Sequence, residues 1–301
     1  MMTLTPETLS ATTVAERLRV KLRDYLTLTK PEVNLLILMT TSAGYYLAGR
    51  DGFHALGLIH TLVGTLLVAS GTATLNQWME RVFDGQMRRT ANRPLPSGRI
   101  SSNEALLFGL LLSIGGGIYL ALLVNTLASI LAISTLLSYL LIYTPLKRRT
   151  PLCTMLGAFP GAMPTLIGWA GASASIDRNG LYLFAILFLW QFPHFLAIAM
   201  MYREDYERAG YRMLPRFDQD SRFTRFEILA FTLLLIGLTV LPMATRGGAV
   251  YTIGMLLSGA FLLYYALKLA SSGTRKLASG LLHASVLYLP VVLVLLVVYK
   301  K

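Results

Sequence analysis

Charge is scarce in this sequence. Asp, Glu, Lys and Arg make up 14% of its 301 residues, where a soluble domain of this length carries roughly 25%. Cysteine occurs once, at Cys153. That excludes an internal disulfide and a multi-cysteine metal site, and Cys153 reads as a small core residue. Long polar linkers are missing too, so no second soluble domain fits between the apolar runs. The first 30 residues lack a continuous apolar stretch followed by a small-residue cleavage site, so they do not read as a secretory signal. Glu7, Glu16 and Asp24 argue against a mitochondrial transit peptide, which is poor in acid.

Apolar runs are what the chain has. Hydrophobic residues make up 54% and the mean hydropathy is +0.58. Charge-poor runs near 31–49, 54–79, 104–124, 126–145, 151–171, 180–201, 227–245, 249–268 and 279–299 are long enough for membrane helices. They are continuous rather than alternating, which excludes a barrel. The expected fold is therefore all-α: a polytopic membrane protein of nine transmembrane helices, with residues 1–30 as an N-terminal segment and 31–301 as one membrane domain.

The net charge of +12 reads as topology, not as nucleic-acid binding. Placed on nine spans, 22 of the 27 Lys and Arg residues fall on one side. Arg50, Arg178, Arg246, Lys300 and Lys301 fall on the other. The positive-inside rule then makes the N-terminus cytoplasmic and the C-terminus external, in a bacterial plasma membrane. Val14, Leu18, Leu22 and Leu26 recur every four residues among Arg17, Arg19, Lys21 and Arg23, the pattern of an amphipathic helix lying on the bilayer. Lys30-Pro31 then opens the first span, with Pro in the first turn.

Chemistry concentrates where apolar runs end. Asn76, Glu80 and Asp84 recur every four residues, which puts three oxygen-bearing side chains on one helical stripe. Arg81, Arg88, Arg89 and Arg93 surround them. Hard oxygen ligands beside arginines suit Mg²⁺ and a phosphate group; a solvated helix end would look similar. Small residues from Ala69 to Thr74 permit close packing or leave room for a ligand. At the fourth boundary, Tyr143-Thr-Pro-Leu-Lys147-Arg148-Arg149 is either a topology signal or a phosphate contact. Gly157, Pro160, Gly161, Pro164 and Gly168 predict a kinked or broken fifth span.

A second stretch mirrors the first. The sixth run ends in Glu204, Asp205 and Glu207. His194, Ile198, Met201 and Asp205 follow offsets 0, 4, 7 and 11 and so form one stripe, with Asp205 about 16 Å from His194 along the axis. A histidine so deep in a span either faces a cavity or is a structural group bonded to a neighbouring helix. His54, His60 and His283 lack such alignment and read as structural or interfacial. Two acidic ends on one side suit a Mg²⁺-bound diphosphate, and the apolar space above them suits an isoprenoid tail.

These motifs resemble the UbiA superfamily of intramembrane prenyltransferases, and within it the haem-prenylating branch, from about Leu26 to Tyr299. N-x-x-x-D-x-x-x-D matches Asn76, Glu80 and Asp84, with Glu in the middle. M-x-R-T-x-x-R matches Met87, Arg89, Thr90 and Arg93. Y-T-x-L-K-R matches Tyr143, Thr144, Leu146, Lys147 and Arg148. W-Q-x-P-H matches Trp190, Gln191, Pro193 and His194, and D-Y matches Asp205 and Tyr206. Val82, Arg88 and Arg212 depart from the branch pattern, and Val82 removes one further carboxylate.

The resemblance implies a UbiA-type helical bundle that uses Mg²⁺ and converts haem B, farnesyl diphosphate and water to haem O and diphosphate. It assigns Asn76, Glu80, Asp84 and Asp205 to Mg²⁺–diphosphate. Arg81, Arg89, Arg93, Tyr143, Lys147, Arg148 and Tyr206 are expected to contact substrate, and His194 the haem. A terminal oxidase or haem A synthase would be a downstream partner. Three alternatives stay open on the residues alone: a prenyltransferase with an aromatic acceptor, a non-enzymatic transporter, and a non-catalytic haem-binding membrane protein.

Overall fold

The computed structural model describes residues 6–49, 52–215, 217–240 and 248–300. Among these the chain is helical, with no strand. In order the helices are α1 (Pro6–Leu28), α2 (Pro31–Ala48), α3 (Ala55–Asp84), α4 (Ser102–Leu123), α5 (Thr126–Leu137), α6 (Thr144–Leu146), α7 (Cys153–Ser173), α8 (Arg178–Met201), α9 (Arg203–Arg208), α10 (Arg222–Val240), α11 (Gly248–Ser272) and α12 (Arg275–Val298). A π-helical turn, Ser138–Tyr143, joins α5 to α6.

Helices stand at all nine apolar runs, and seven of them are long and apolar enough to cross a membrane: α3, α4, the continuous Thr126–Leu146 segment, α8, α10, α11 and α12. The chain is thus a multi-pass membrane protein. The two short of that standard, α2 and α7, are rich in small and polar residues because they pack on each other inside the bundle. A Cβ on Gly44 would run into the Thr165 carbonyl, and one on Gly168 into the Thr41 carbonyl. Lipid-facing hydropathy is not required of a helix that faces its neighbours.

Two apolar clusters flank that pair. One draws on α8, α10, α11 and α12, with Ile186, Leu235, Met255, Leu262 and Tyr288 fully or almost fully buried. The other gathers Val68, Leu75, Leu120, Ala128 and Ile167 from α3, α4, α5 and α7. The expected break in α7 does not occur. The helix runs through Pro160 and Pro164, and its glycines serve close approach instead. A Cβ on Gly161 would strike Gln191 Oε1, whose amide donates to the Ala158 carbonyl at 2.8 Å.

The N-terminal helix forms as expected, beginning at Pro6. Val14, Leu18, Leu22 and Leu26 are all exposed. Lys21 pairs with Glu104 at 2.6 Å and Arg99 with Asp24 at 3.0 Å, which moors α1 at the end of the bundle where α3 finishes. At the opposite end Lys300 Nζ donates to the carbonyls of Tyr46 (2.6 Å) and Gly49 (2.5 Å). Arg50, Arg246 and Lys301, used above to set the topology, lie outside the described residues. Cys153 is fully buried against Met213, as a small core residue should be. His60 bonds the Tyr119 hydroxyl at 2.8 Å and His283 its own helix at Ser279.

Candidate active site

The last turns of α3 carry the first acidic group. Asn76, Glu80 and Asp84 are all buried, on the single stripe that their spacing dictates. The Asn76 amide donates to Glu80 Oε2 at 2.9 Å and to Thr144 Oγ1 at 3.1 Å. Lys147 Nζ lies 2.9 Å and 3.1 Å from the two Glu80 oxygens. The π-helical turn shifts the register just before Thr144, so Thr144 and Lys147 both reach α3. Such turns are frequent at functional sites. Burial opposes charge on Lys147, but the Glu80 carboxylate holds its pKa well above the usual lysine value.

The segment 85–101 folds back under this helix end. Thr90 Oγ1 donates to the Asp84 carbonyl at 2.8 Å, and Arg93 Nη1 pairs with Asp84 Oδ2 at 2.8 Å. The Arg89 main-chain N–H then donates to Asp205 Oδ2 at 3.4 Å. Asp205 also pairs with Arg208 at 3.1 Å. One segment therefore joins the two acidic ends, 121 residues apart in sequence at Asp84 and Asp205.

Three site residues escaped the sequence reading. Lys30 sits with φ of 52°, left-handed for a non-glycine, a conformation that costs on the order of 1 kcal/mol and marks functional positions. Its ammonium lies 3.3 Å from Asn76 Oδ1. Burial, with Arg93 and Lys147 nearby, pulls its pKa down to about 7. Thr144 is the second. The third is Tyr211, whose buried hydroxyl has no hydrogen-bond partner. Burial and the neighbouring Glu80 carboxylate raise its pKa far above the tyrosine range, so it remains a donor. Lys30 had a sequence signal as the last charge before the first apolar run, and Thr144 as the second residue of the Tyr143–Arg148 motif; Tyr211 had none.

Other expected residues are placed as follows. The Arg89 guanidinium lies 5.0 Å from the Tyr202 ring centre, and Arg148 lies 3.9 Å over Phe83. Tyr143 packs on Tyr139 at 4.9 Å, with Lys147 Nζ 4.6 Å from its ring. Tyr206 meets Tyr211 edge-on at 5.9 Å. Arg81 does not join the group: it donates to the Trp78 carbonyl at 2.7 Å and lies over the Trp78 ring, because position 81 is on another face of α3. The stripe from His194 to Asp205 is also corrected. α8 stops at Met201, and Tyr202 (φ −114°, ψ 26°) turns the chain before α9. His194 instead faces α12, where Nδ1 meets Ser285 Oγ at 2.8 Å.

The electrostatics favour an anion. Lys30, Arg93, Lys147 and Arg208 gather around Asn76, Glu80, Asp84 and Asp205. Among the described residues no three His, Cys, Asp or Glu side chains stand close enough to form a metal cluster; each carboxylate is held by a cation of the chain. The donors are all oxygens, as Mg²⁺ requires. Mg²⁺ binds through one or two carboxylates and takes phosphate and water for the rest. The arrangement thus fits a cation arriving with a diphosphate rather than one caged by protein.

The fold and sequence have close counterparts. Residues 37–298 match the UbiA prenyltransferase family. A protoheme IX farnesyltransferase of Solibacter usitatus is 48% identical over 281 residues, spanning 90% of this chain and 96% of that protein. One from Salinibacter ruber is 40% identical, spanning 91% and 98%. Among solved structures, that of a digeranylgeranylglyceryl phosphate synthase superposes with TM-score 0.76 at 20% identity, covering 93% of this chain and 98% of that one. A UbiA homolog from Archaeoglobus fulgidus, bound to DMAPP and Mg²⁺, gives 0.67 at 15% identity, covering 90% and 98%. With its family match across most of its length and its two acidic helix ends joined at one end of the bundle, this chain belongs to the UbiA prenyltransferase family.

Proposed function

We propose that this protein transfers a farnesyl group from farnesyl diphosphate to a vinyl group of haem B, giving haem O and diphosphate. The observation that carries the reading is the cation-rich junction of two acidic helix ends, bridged by the Arg89 N–H to Asp205. The names of relatives at 40–48% identity supply the acceptor.

In this reading Asn76, Glu80, Asp84 and Asp205 would hold Mg²⁺ together with the diphosphate. When bound, the cation offsets charge on the departing phosphates. Lys30, Arg93 and Lys147 bind phosphate oxygens, and the Tyr211 hydroxyl donates to them. Arg89 and Arg148 stand at the rim. Fixed charges of this kind act where negative charge grows in the transition state. The allylic C–O bond breaks, and its electron pair leaves with diphosphate. The vinyl π electrons form the new C–C bond, and water adds to the resulting cation and loses a proton.

The topology follows from the same reading. α2 and α7 cross with the seven apolar helices, making nine spans in residues 31–301. Moorings of α1 and Lys300 at opposite bundle ends support an odd number. The acidic ends then face the cytoplasm of a bacterial plasma membrane, α1 lies on the bilayer surface, and the C-terminus is outside. Haem O would pass to a haem A synthase or terminal oxidase.

Mass spectrometry of products from purified protein, haem B, farnesyl diphosphate and Mg²⁺ tests the reaction. Haem O is the expected product. Farnesylation of an aromatic acid with no haem product would overturn the acceptor assignment.

A further inference from the structure

We infer that Ser285 is a positioning residue: its hydroxyl fixes the tautomer of His194 so that Nε2 presents a lone pair to the iron of the haem acceptor. This rests on the function proposed above.

Ser285 is fully buried on α12. A hydroxyl has one proton to give. That proton goes to the Leu282 carbonyl, one turn back, at 2.7 Å. Toward His194 Nδ1, at 2.8 Å, Ser285 Oγ can then only accept. His194 Nδ1 must therefore carry the hydrogen. In a neutral imidazole the other nitrogen is then bare.

That bare nitrogen is unclaimed. His194 Nε2 makes no hydrogen bond among the described residues. It is not one of the sealed, unpartnered atoms either, which are Thr65 Oγ1, Gln77 Oε1, Thr154 Oγ1 and the Tyr211 hydroxyl. Nε2 is thus not sealed within the packing.

The ring is also held still. It stacks on Trp190 with centres 4.5 Å apart and 22° between planes, and Phe195 meets it edge-on at 5.2 Å. Trp190 Nε1 donates to the Ser285 carbonyl at 2.7 Å. One serine therefore fixes both rings, His194 through its side chain and Trp190 through its main chain.

A fixed imidazole lone pair calls for a donor or a Lewis acid. Of the three reactants, water offers only a hydrogen-bond donor, and farnesyl diphosphate offers neither: its tail is apolar and its head is an acceptor. Haem iron has open axial positions and takes imidazole readily. A hydrogen-bond acceptor behind the opposite nitrogen is the usual device for orienting a metal-bound histidine and raising its basicity. Its loss typically costs about 10–100-fold in affinity.

The test titrates ferric protohaem IX into the purified full-length protein and records the Soret band, the spin state and farnesylated product. Wild type is expected to give an imidazole-ligated spectrum. His194→Gln keeps a donor for Ser285 but has no ring nitrogen, and should lose that spectrum. His194→Ala should lose it and regain it with free imidazole. Ser285→Ala should keep the ligated spectrum with affinity about 10–100-fold weaker. A ligated spectrum in His194→Gln would overturn the inference while leaving haem prenylation intact. So would Ser285→Ala with a lower melting temperature but unchanged haem affinity, since the bond would then only tie α8 to α12. Wild type that neither binds nor farnesylates haem would instead refute the proposed function.

Discussion

Replacing Lys147 with Met should be the most revealing single change outside the carboxylates. Lys147 Nζ lies 2.9 Å from Glu80 Oε1, with the two side chains 13% and 8% exposed. An exposed pair would contribute about 1 kcal/mol or less. Here, removing the ammonium takes the paired cation from a buried carboxylate and leaves the Asn76 amide as its hydrogen-bond donor at 2.9 Å. Stranding a buried charge costs about 3–5 kcal/mol. At roughly 2 °C per kcal/mol for a chain of this size, the melting temperature should fall by about 6–10 °C.

Adding Glu80→Gln removes the stranded charge while keeping an oxygen for the Asn76 amide. The double variant should therefore return to within about 1–2 kcal/mol of wild type. Lys147 has a folded-state pKa above its ordinary 10.5. Its contribution to stability is complete below that value and is lost only as pH rises through the folded pKa. The deficit in Lys147→Met should thus be constant from neutral to mildly alkaline solution and shrink in acid, where a proton on Glu80 removes the stranded charge. Thermal unfolding of detergent-solubilised protein, followed by tryptophan fluorescence, measures all of this. A single variant as stable as wild type, or a double variant no better than the single, would refute the buried-pair argument.

Asp84→Ala should lower prenyl transfer at least ~10²-fold while the protein still inserts in the membrane; near-normal product by mass spectrometry would remove Asp84 from the site. Excess EDTA should abolish turnover, with Mg²⁺ restoring it because the donors are oxygens; full activity in EDTA would leave the basic residues to hold diphosphate alone. Gly168→Ala should destabilise by about 1–3 kcal/mol, because its Cβ meets the rigid Thr41 carbonyl; an unchanged melting temperature would show that α2 and α7 part easily.

Much of the site was legible because its chemistry is periodic. Asn76, Glu80 and Asp84 lie within one helix, so spacing alone places them on one face. The second acidic end was legible only in part. Asp205 was found as the end of an apolar run, but its stripe with His194 assumed a helix that Tyr202 interrupts. Lys30, Thr144 and Tyr211 were missed since each reaches the site from a different segment. No spacing rule links residues that meet through folding.

The sequence by itself determined an all-helical membrane protein with its charge gathered at span ends, because exclusion of unpaired backbone groups from lipid leaves a long apolar run no other structure. It also determined the stripe on α3 and the amphipathic N-terminal helix, both set by the 3.6-residue period. Tertiary structure decided which cation holds which carboxylate, since Lys147 reaches Glu80 only after the π-helical turn. It decided that α7 stays whole despite its prolines and uses its glycines for contact. And it decided which way His194 faces, because Ser285 stands 91 residues away and only the packing of α8 on α12 brings the two together.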